Sequence, residues 1–160
     1  MSYSYRYNQM VEIYEKKEGP YYRAKIIGCG QAKYLVRYET VYVFVKKGER
    51  KLKTAAVDAA EIRPDPPRNN IKNFNAGDRV DVSIYEEEDS WWVGFVLKRC
   101  HNGYIVKLES NGNEVHCETF RIRRHFDFDN GQWISNSHRP AARDDRSHGT
   151  QDDDHQSAAS

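Results

Sequence analysis

The stretch Met10–Tyr42, MVEIYEKKEGPYYRAKIIGCGQAKYLVRYETVY, decides the fold. Three apolar-alternating segments, Val11–Tyr14, Tyr22–Ile27 and Tyr34–Tyr38, are separated by the turn clusters Lys16-Lys17-Glu18-Gly19-Pro20 and Gly28-Cys29-Gly30. Period-two alternation bounded by glycine and proline predicts short antiparallel strands. Tyr14, Tyr21, Tyr22, Tyr38 and Tyr42 fall where strands meet turns, with Glu15, Glu18 and Glu39 beside them. Aromatic rings and carboxylates converging on one mouth of a small barrel make a pocket suited to an organic cation.

Working outward, Tyr42–Val45 continues as a fourth strand and Lys46–Lys53 reads as a basic turn or loop around Gly48. Thr54–Glu61 has a mildly helical, alanine-rich pattern, and Ile62-Arg63-Pro64-Asp65-Pro66-Pro67 closes the unit, since proline cannot donate to a ladder. Upstream, Tyr3, Tyr5 and Tyr7 alternate, and the pattern alone leaves an edge strand and a frayed arm equally open.

The pattern then repeats. Val11-Glu12-Ile13 matches Val80-Asp81-Val82, and Tyr21–Ile26 matches Trp91–Val96. Tyr34–Tyr38 matches Tyr104–Leu108, and Ile62-Arg63 matches Ile122-Arg123. The first copy is longer by an insertion at Lys46–Ala60. An all-β chain of two tandem five-stranded barrels is expected, packed face to face: residues 10–67, a linker at 68–75, and residues 76–133. Within the second copy, Glu114–Cys117 and Phe120–Arg123 read as strands, Asn111-Gly112 as a hairpin turn, and His125–Trp133 as a closing segment turning at Asn130-Gly131. Past Ile134 there is no large apolar residue, and residues 134–160 are expected to be a disordered polar tail.

Charged residues make up 31% of the 160-residue chain and aromatics 12%, as suits small barrels with thin cores. The net charge is +1; residues 1–134 hold 22 bases against 19 acids, too mild for a protein whose main task is gripping phosphate backbones. No apolar run nears the roughly 20 residues of a membrane span, and no signal peptide precedes the first strand. Cys29, Cys100 and Cys117 form no C-x-x-C pair, so reduced thiols are expected. Cys100-His101 and His116-Cys117 offer one ligand each to a shared face, too few for zinc. Neither a catalytic triad nor a phosphate loop is present, and no enzyme, cofactor, metal or small-molecule substrate is expected.

The motifs resemble a known family. Val11-Glu12-Ile13, Glu18-Gly19, Tyr34-x-Val36-x-Tyr38 and Ile62-Arg63-Pro64-x-Pro66-Pro67 are similar to the first agenet domain of a plant tandem pair. Phe74-x-x-Gly77-Asp78, Trp91-Trp92-x-Gly94-x-Val96 and Asn130-Gly131-x-Trp133 are similar to the second. Two departures stand out: Pro20-Tyr21-Tyr22 replaces a small residue plus Trp, and Phe128 stands where Trp is common. The resemblance implies Tudor-like, SH3-like barrels and a nuclear chromatin reader. Family members include plant proteins with several agenet pairs that bind histone H3 tails methylated on lysine nine, as heterochromatin readers. It further implies a methyl-lysine cage of Tyr14, Tyr22, Tyr38 and Tyr42, with Glu39 favouring lower methylation states. Tyrosines that merely fill a thin barrel are the plain alternative.

The repeat acts as an internal control, because Ser83 stands opposite Tyr14 and Leu108 opposite Tyr38. The second unit keeps Trp92 but lacks two walls, so Trp91 and Trp92 are expected to form a secondary aromatic surface. The run Glu86-Glu87-Glu88-Asp89 is either a solvated loop or an acidic contact for basic residues of the tail. Two rivals use other features. One is a nucleic-acid module, or a secondary nucleic-acid contact, through Lys46–Lys53 and the patch Arg121, Arg123, Arg124 and His125. The other is a purely structural interaction tandem.

Overall fold

The computed structural model describes residues 3–17, 19–68 and 73–135. Glu18, part of the expected linker and all but the first two residues of the expected tail lie outside them.

The first unit contains β1 (Met10–Tyr14), β2 (Tyr21–Cys29), β3 (Lys33–Lys46), β4 (Glu49–Asp58) and β5 (Ile62–Pro64). The second contains β6 (Arg79–Val82), β7 (Ser90–Cys100), β8 (Gly103–Leu108), β9 (Glu114–Glu118) and β10 (Ile122–Arg124). A short hairpin, β11 (Phe126–Asp129) and β12 (Gln132–Ser135), follows. Every pairing is antiparallel, and each unit runs fifth-first-second-third-fourth across its sheet. A single turn of 3-10 helix, Ala59–Glu61 or Thr119–Arg121, leads into the last strand of each.

Alternation places Val11, Ile13, Ala24, Ile26, Val36, Tyr38 and Ile62 in one core. Their counterparts Val80, Val82, Val96, Val106, Leu108 and Ile122 fill the other. The bulge is duplicated too: the register shifts after Ile26 in β2 and after Val96 in β7. Asn130 and Gly131 both take positive φ, 51° and 77°, as a two-residue hairpin turn requires.

The N-terminal arm is docked. Tyr5 is buried in the first core; its hydroxyl donates to the Ile62 carbonyl at 2.8 Å and its N–H donates to the Tyr34 hydroxyl at 3.2 Å. Phe74 repeats the arrangement, donating its N–H to the Tyr104 hydroxyl at 3.1 Å with the rings again edge to face. The first folded body therefore takes in residues before Met10.

Four expectations differ from the structure. Lys46–Lys53 is the turn and returning strand of a long hairpin, not a turn or loop alone. Thr54–Asp58 is strand, because pairing with β3 and packing of Ala55 and Val57 outweigh alanine's helical preference. Only the end of Phe120–Arg123 is strand. Finally, the units meet along strand edges rather than face to face. Tyr21 pairs with Trp91 and Tyr22 with Ser90, and the Arg23 N–H donates to the Asp89 carbonyl at 3.1 Å, so one ladder runs through both units.

Candidate functional site

The β3–β4 ladder breaks where the site lies. Arg37 pairs with Thr54 and Tyr42 with Leu52, so Tyr38–Val41 bulges opposite Lys53 alone. The displaced backbone opens a recess of about 120 Å³ lined by Glu15, Tyr22, Tyr38, Val41 and Lys53. The Tyr22 and Tyr38 rings stand 6.1 Å apart at 81°, two perpendicular walls. Tyr38 is a core residue as well as a wall. Burial first, then Glu15 and Glu61, pushes its hydroxyl above the usual tyrosine range, so it stays neutral. The Lys53 ammonium lies 5.2 Å from the Tyr38 ring centroid, so the chain's own cation already occupies a cation-binding position.

Of the expected cage residues, the structure brings together Tyr22 and Tyr38. Tyr14, at the end of β1, points the other way. It packs on Tyr21 at 5.1 Å and borders a hollow of about 230 Å³ at the junction, with Arg79, Glu109 and Asp127. Tyr42 lies beyond the bulge under the Arg50 guanidinium, 4.2 Å from its ring centroid. Neither it nor Glu39 lines the recess; Glu15 supplies the carboxylate instead. The bulge shifts the side-chain phase after Tyr38, and strand-end proximity in the sequence carries no sign of it.

The acidic loop abuts the first unit. The Asp89 N–H donates to the Thr40 hydroxyl at 2.9 Å, one residue from Val41 of the recess. Glu86 pairs with Arg121 at 3.1 Å, while Glu87 is exposed. In the second unit Trp92 packs beside its core with Tyr85 at 6.5 Å, and Leu108 occupies the place of Tyr38. Trp91 is covered by the Arg123 guanidinium at 4.0 Å. Among the described residues no group of three His, Cys, Asp or Glu is placed to hold a metal ion.

A buried ionic network holds the two units in place, and the sequence reading passed over it. Glu12 Oε1 accepts from Arg63 at 2.7 and 3.0 Å and from Arg123 at 2.8 Å. Asp81 Oδ2 accepts from Arg123 at 2.8 Å and from Arg63 at 3.5 Å, and Asp81 Oδ1 meets His125 Nδ1 at 2.6 Å. Arg63 covers the Tyr21 ring at 3.5 Å as Arg123 covers Trp91. Each arginine thus serves its own unit's carboxylate and the other's. The signal was an acid in the middle of β1 and of β6, matched by an arginine after the isoleucine of each last strand.

Comparison with known proteins gives consistent matches. The model of the Agenet domain matches residues 8–67. A curated Arabidopsis thaliana protein, AGENET DOMAIN (AGD)-CONTAINING P1, is 30% identical over 129 residues, 78% of this chain. Residues 8–67 are an Agenet domain. The chain spans about a quarter of the length of that relative, 24%. Two solved structures are similar over most of the chain: the tandem Agenet domain 3-4 of ADCP1, and the AGD34 segment of Arabidopsis thaliana AGDP1. Each is 26% identical and covers 81% of this chain, with TM-scores of 0.69 and 0.70 and coverage of 86% and 88% of those chains. Agenet domains are protein- and peptide-interaction modules, and the perpendicular tyrosines sit in the unit that the family model matches.

Proposed function

We propose that this tandem Agenet chain is a binding module, not an enzyme, and acts in the nucleus as a chromatin reader. The Tyr22–Tyr38 recess takes a methylated lysine of a histone tail; by the family resemblance, that tail is histone H3 methylated on lysine nine. The observation that carries the reading is the pair of perpendicular rings with the Glu15 carboxylate on the same recess. Methylation leaves the ammonium charged but weakens its hydration, and each well-placed ring attracts it by about 0.5–2 kcal/mol. A carboxylate accepts the remaining N–H of a mono- or dimethyl form, so Glu15 takes the role expected of Glu39. The acidic loop Glu86–Asp89, held against Thr40, faces the basic residues that flank the modified lysine.

Calorimetric titration with H3 peptides unmodified or mono-, di- or trimethylated on lysine nine tests this. Micromolar affinity, about −8 kcal/mol, is expected for a short peptide. Tyr22→Ala should lower methylated-peptide affinity about ten-fold and remove the preference for methylation. A folded wild-type protein that does not distinguish methylated from unmodified peptide overturns the reading.

A further inference from the structure

The β3–β4 hairpin beyond the recess has no counterpart in the second unit. β3 and β4 run 14 and 10 residues where β8 and β9 run 6 and 5. The extra length is a two-stranded ribbon turning at Lys47-Gly48, with Gly48 at φ 75°. Residues 44–51 are all exposed, and Phe44 is 85% exposed. An apolar strand end this exposed is unusual unless something covers it.

Charge says what covers it. Residues 41–53 hold five cations, Lys46, Lys47, Arg50, Lys51 and Lys53, against the single acid Glu49. The rest of residues 1–134 then holds 17 bases against 18 acids, so the whole positive balance of the folded part sits on this hairpin. Glu49 pairs with Lys46 at 3.4 Å; among the described residues no carboxylate bridges to Lys47, Arg50, Lys51 or Lys53. Four cations without acids on a projecting ribbon form an anion-seeking surface.

We propose that the β3–β4 hairpin is a nucleic-acid-binding arm that lies in a groove of duplex DNA and grips its phosphates without reading sequence. Two strands about 5 Å apart fit a major groove about 12 Å wide, as β-ribbon readers do. The ribbon offers no Asn or Gln to base edges, and Arg50 is held over Tyr42. Lys47, Arg50 and Lys51 therefore contact backbone, and Phe44 lies against sugars or an opened base step. This surface is separate from the Tyr22–Tyr38 walls, and it lets a reader of a basic tail hold the polyanion around which such tails are found.

Fluorescence anisotropy of a labelled mixed-sequence duplex of about 20 base pairs, with the full chain, tests the proposal. Three phosphate contacts predict a log–log salt slope of about −2.7, roughly a forty-fold loss between 50 and 200 mM salt. Lys47→Glu with Lys51→Glu should cost at least ten-fold, and Phe44→Ala a smaller amount. Lys98→Glu with Lys107→Glu, an equal charge change on exposed positions of the second unit, should cost far less. Tyr22→Ala should bind duplex like the wild type, so failure of methyl-lysine reading leaves this result standing. No duplex binding at 50 mM salt, or equal loss in both double variants, overturns the proposal. So does binding to phosphatidylserine vesicles without binding to duplex.

Discussion

Glu12→Gln probes whether the two units unfold as one. Glu12 is 1% exposed, and its Oε1 accepts three guanidinium hydrogen bonds, two from Arg63 and one from Arg123. The amide keeps the shape but removes the charge, and it places N–H donors where Oε2 now has no partner among the described residues. Removing one member of a buried ion pair costs about 3–5 kcal/mol. Asp81 retains both arginines, so the lower figure applies, about 3 kcal/mol. For a body of this size that lowers Tm by about 10 °C, and with an m-value near 2 kcal/mol/M it lowers the urea midpoint by about 1.5 M. The assay uses an asymmetry of composition. Trp91, Trp92 and Trp133 all lie past the linker, so tryptophan fluorescence reports the second unit although Glu12 belongs to the first. The fluorescence and circular-dichroism midpoints should fall together. A shift by circular dichroism with unmoved tryptophan fluorescence refutes the argument, because the network would then not couple the units.

Acid should act through the same network. Burial alone would raise the Asp81 carboxyl, but Arg123, the His125 hydrogen bond and Arg63 outweigh it and hold it well below the usual carboxylate range. A depressed folded value gives stability that is present above the unfolded value near 4 and is withdrawn as pH falls through the folded one. Urea melts from pH 6 to pH 2 should therefore steepen below pH 4, and Asp81→Asn should be less stable at neutrality yet flatter over that range. Lys53→Gln should raise affinity for a methylated peptide several-fold, since a like charge about 5 Å away costs about 1 kcal/mol in water; calorimetry showing weaker binding would make Lys53 a contact instead of a competitor. Cys117 is buried, which pushes its thiol up to about 11, whereas Cys29 is exposed. A disulfide reagent at pH 8 should modify Cys29 at once and Cys117 only after denaturant is added. At Gly103 an added Cβ would run into the Cys117 carbonyl oxygen, so Gly103→Ala should cost about 2 kcal/mol or more in a urea melt.

The strands were legible because alternation and turn residues are local, and the repeat because two copies of one pattern reinforce each other. That Tyr22 and Tyr38 come together was legible for the same reason. What escaped depends on register: the bulge at Tyr38–Val41 turns Tyr42 and Glu39 away from the recess and brings Lys53 and Glu15 to it. Tyr14 was misplaced because its strand presents one face to the core and the other to a second unit, which a single-barrel pattern does not include. The docked arm had a readable sign, an aromatic six residues before the first valine in Tyr5–Val11 and again in Phe74–Val80. The ionic junction had one too, in the matched Glu12/Asp81 and Arg63/Arg123, but charged residues in strands read by default as solvent-facing.

The reciprocal arginines carry a geometric consequence. Tyr21 and Trp91 are equivalent positions, and they pair with each other across the ladder, so a local two-fold axis passes between them. Arg63 and Arg123 obey the same axis, each reaching across to the other's acid. A patch that is its own complement is the signature of a symmetric homodimer. The tandem therefore has the form of a symmetric dimer whose two halves are joined in one polypeptide. With both halves in one chain, symmetry is needed only at that seam. The halves differ away from it, at Tyr38 against Leu108 and in the length of the β3–β4 hairpin, without loosening the grip between them.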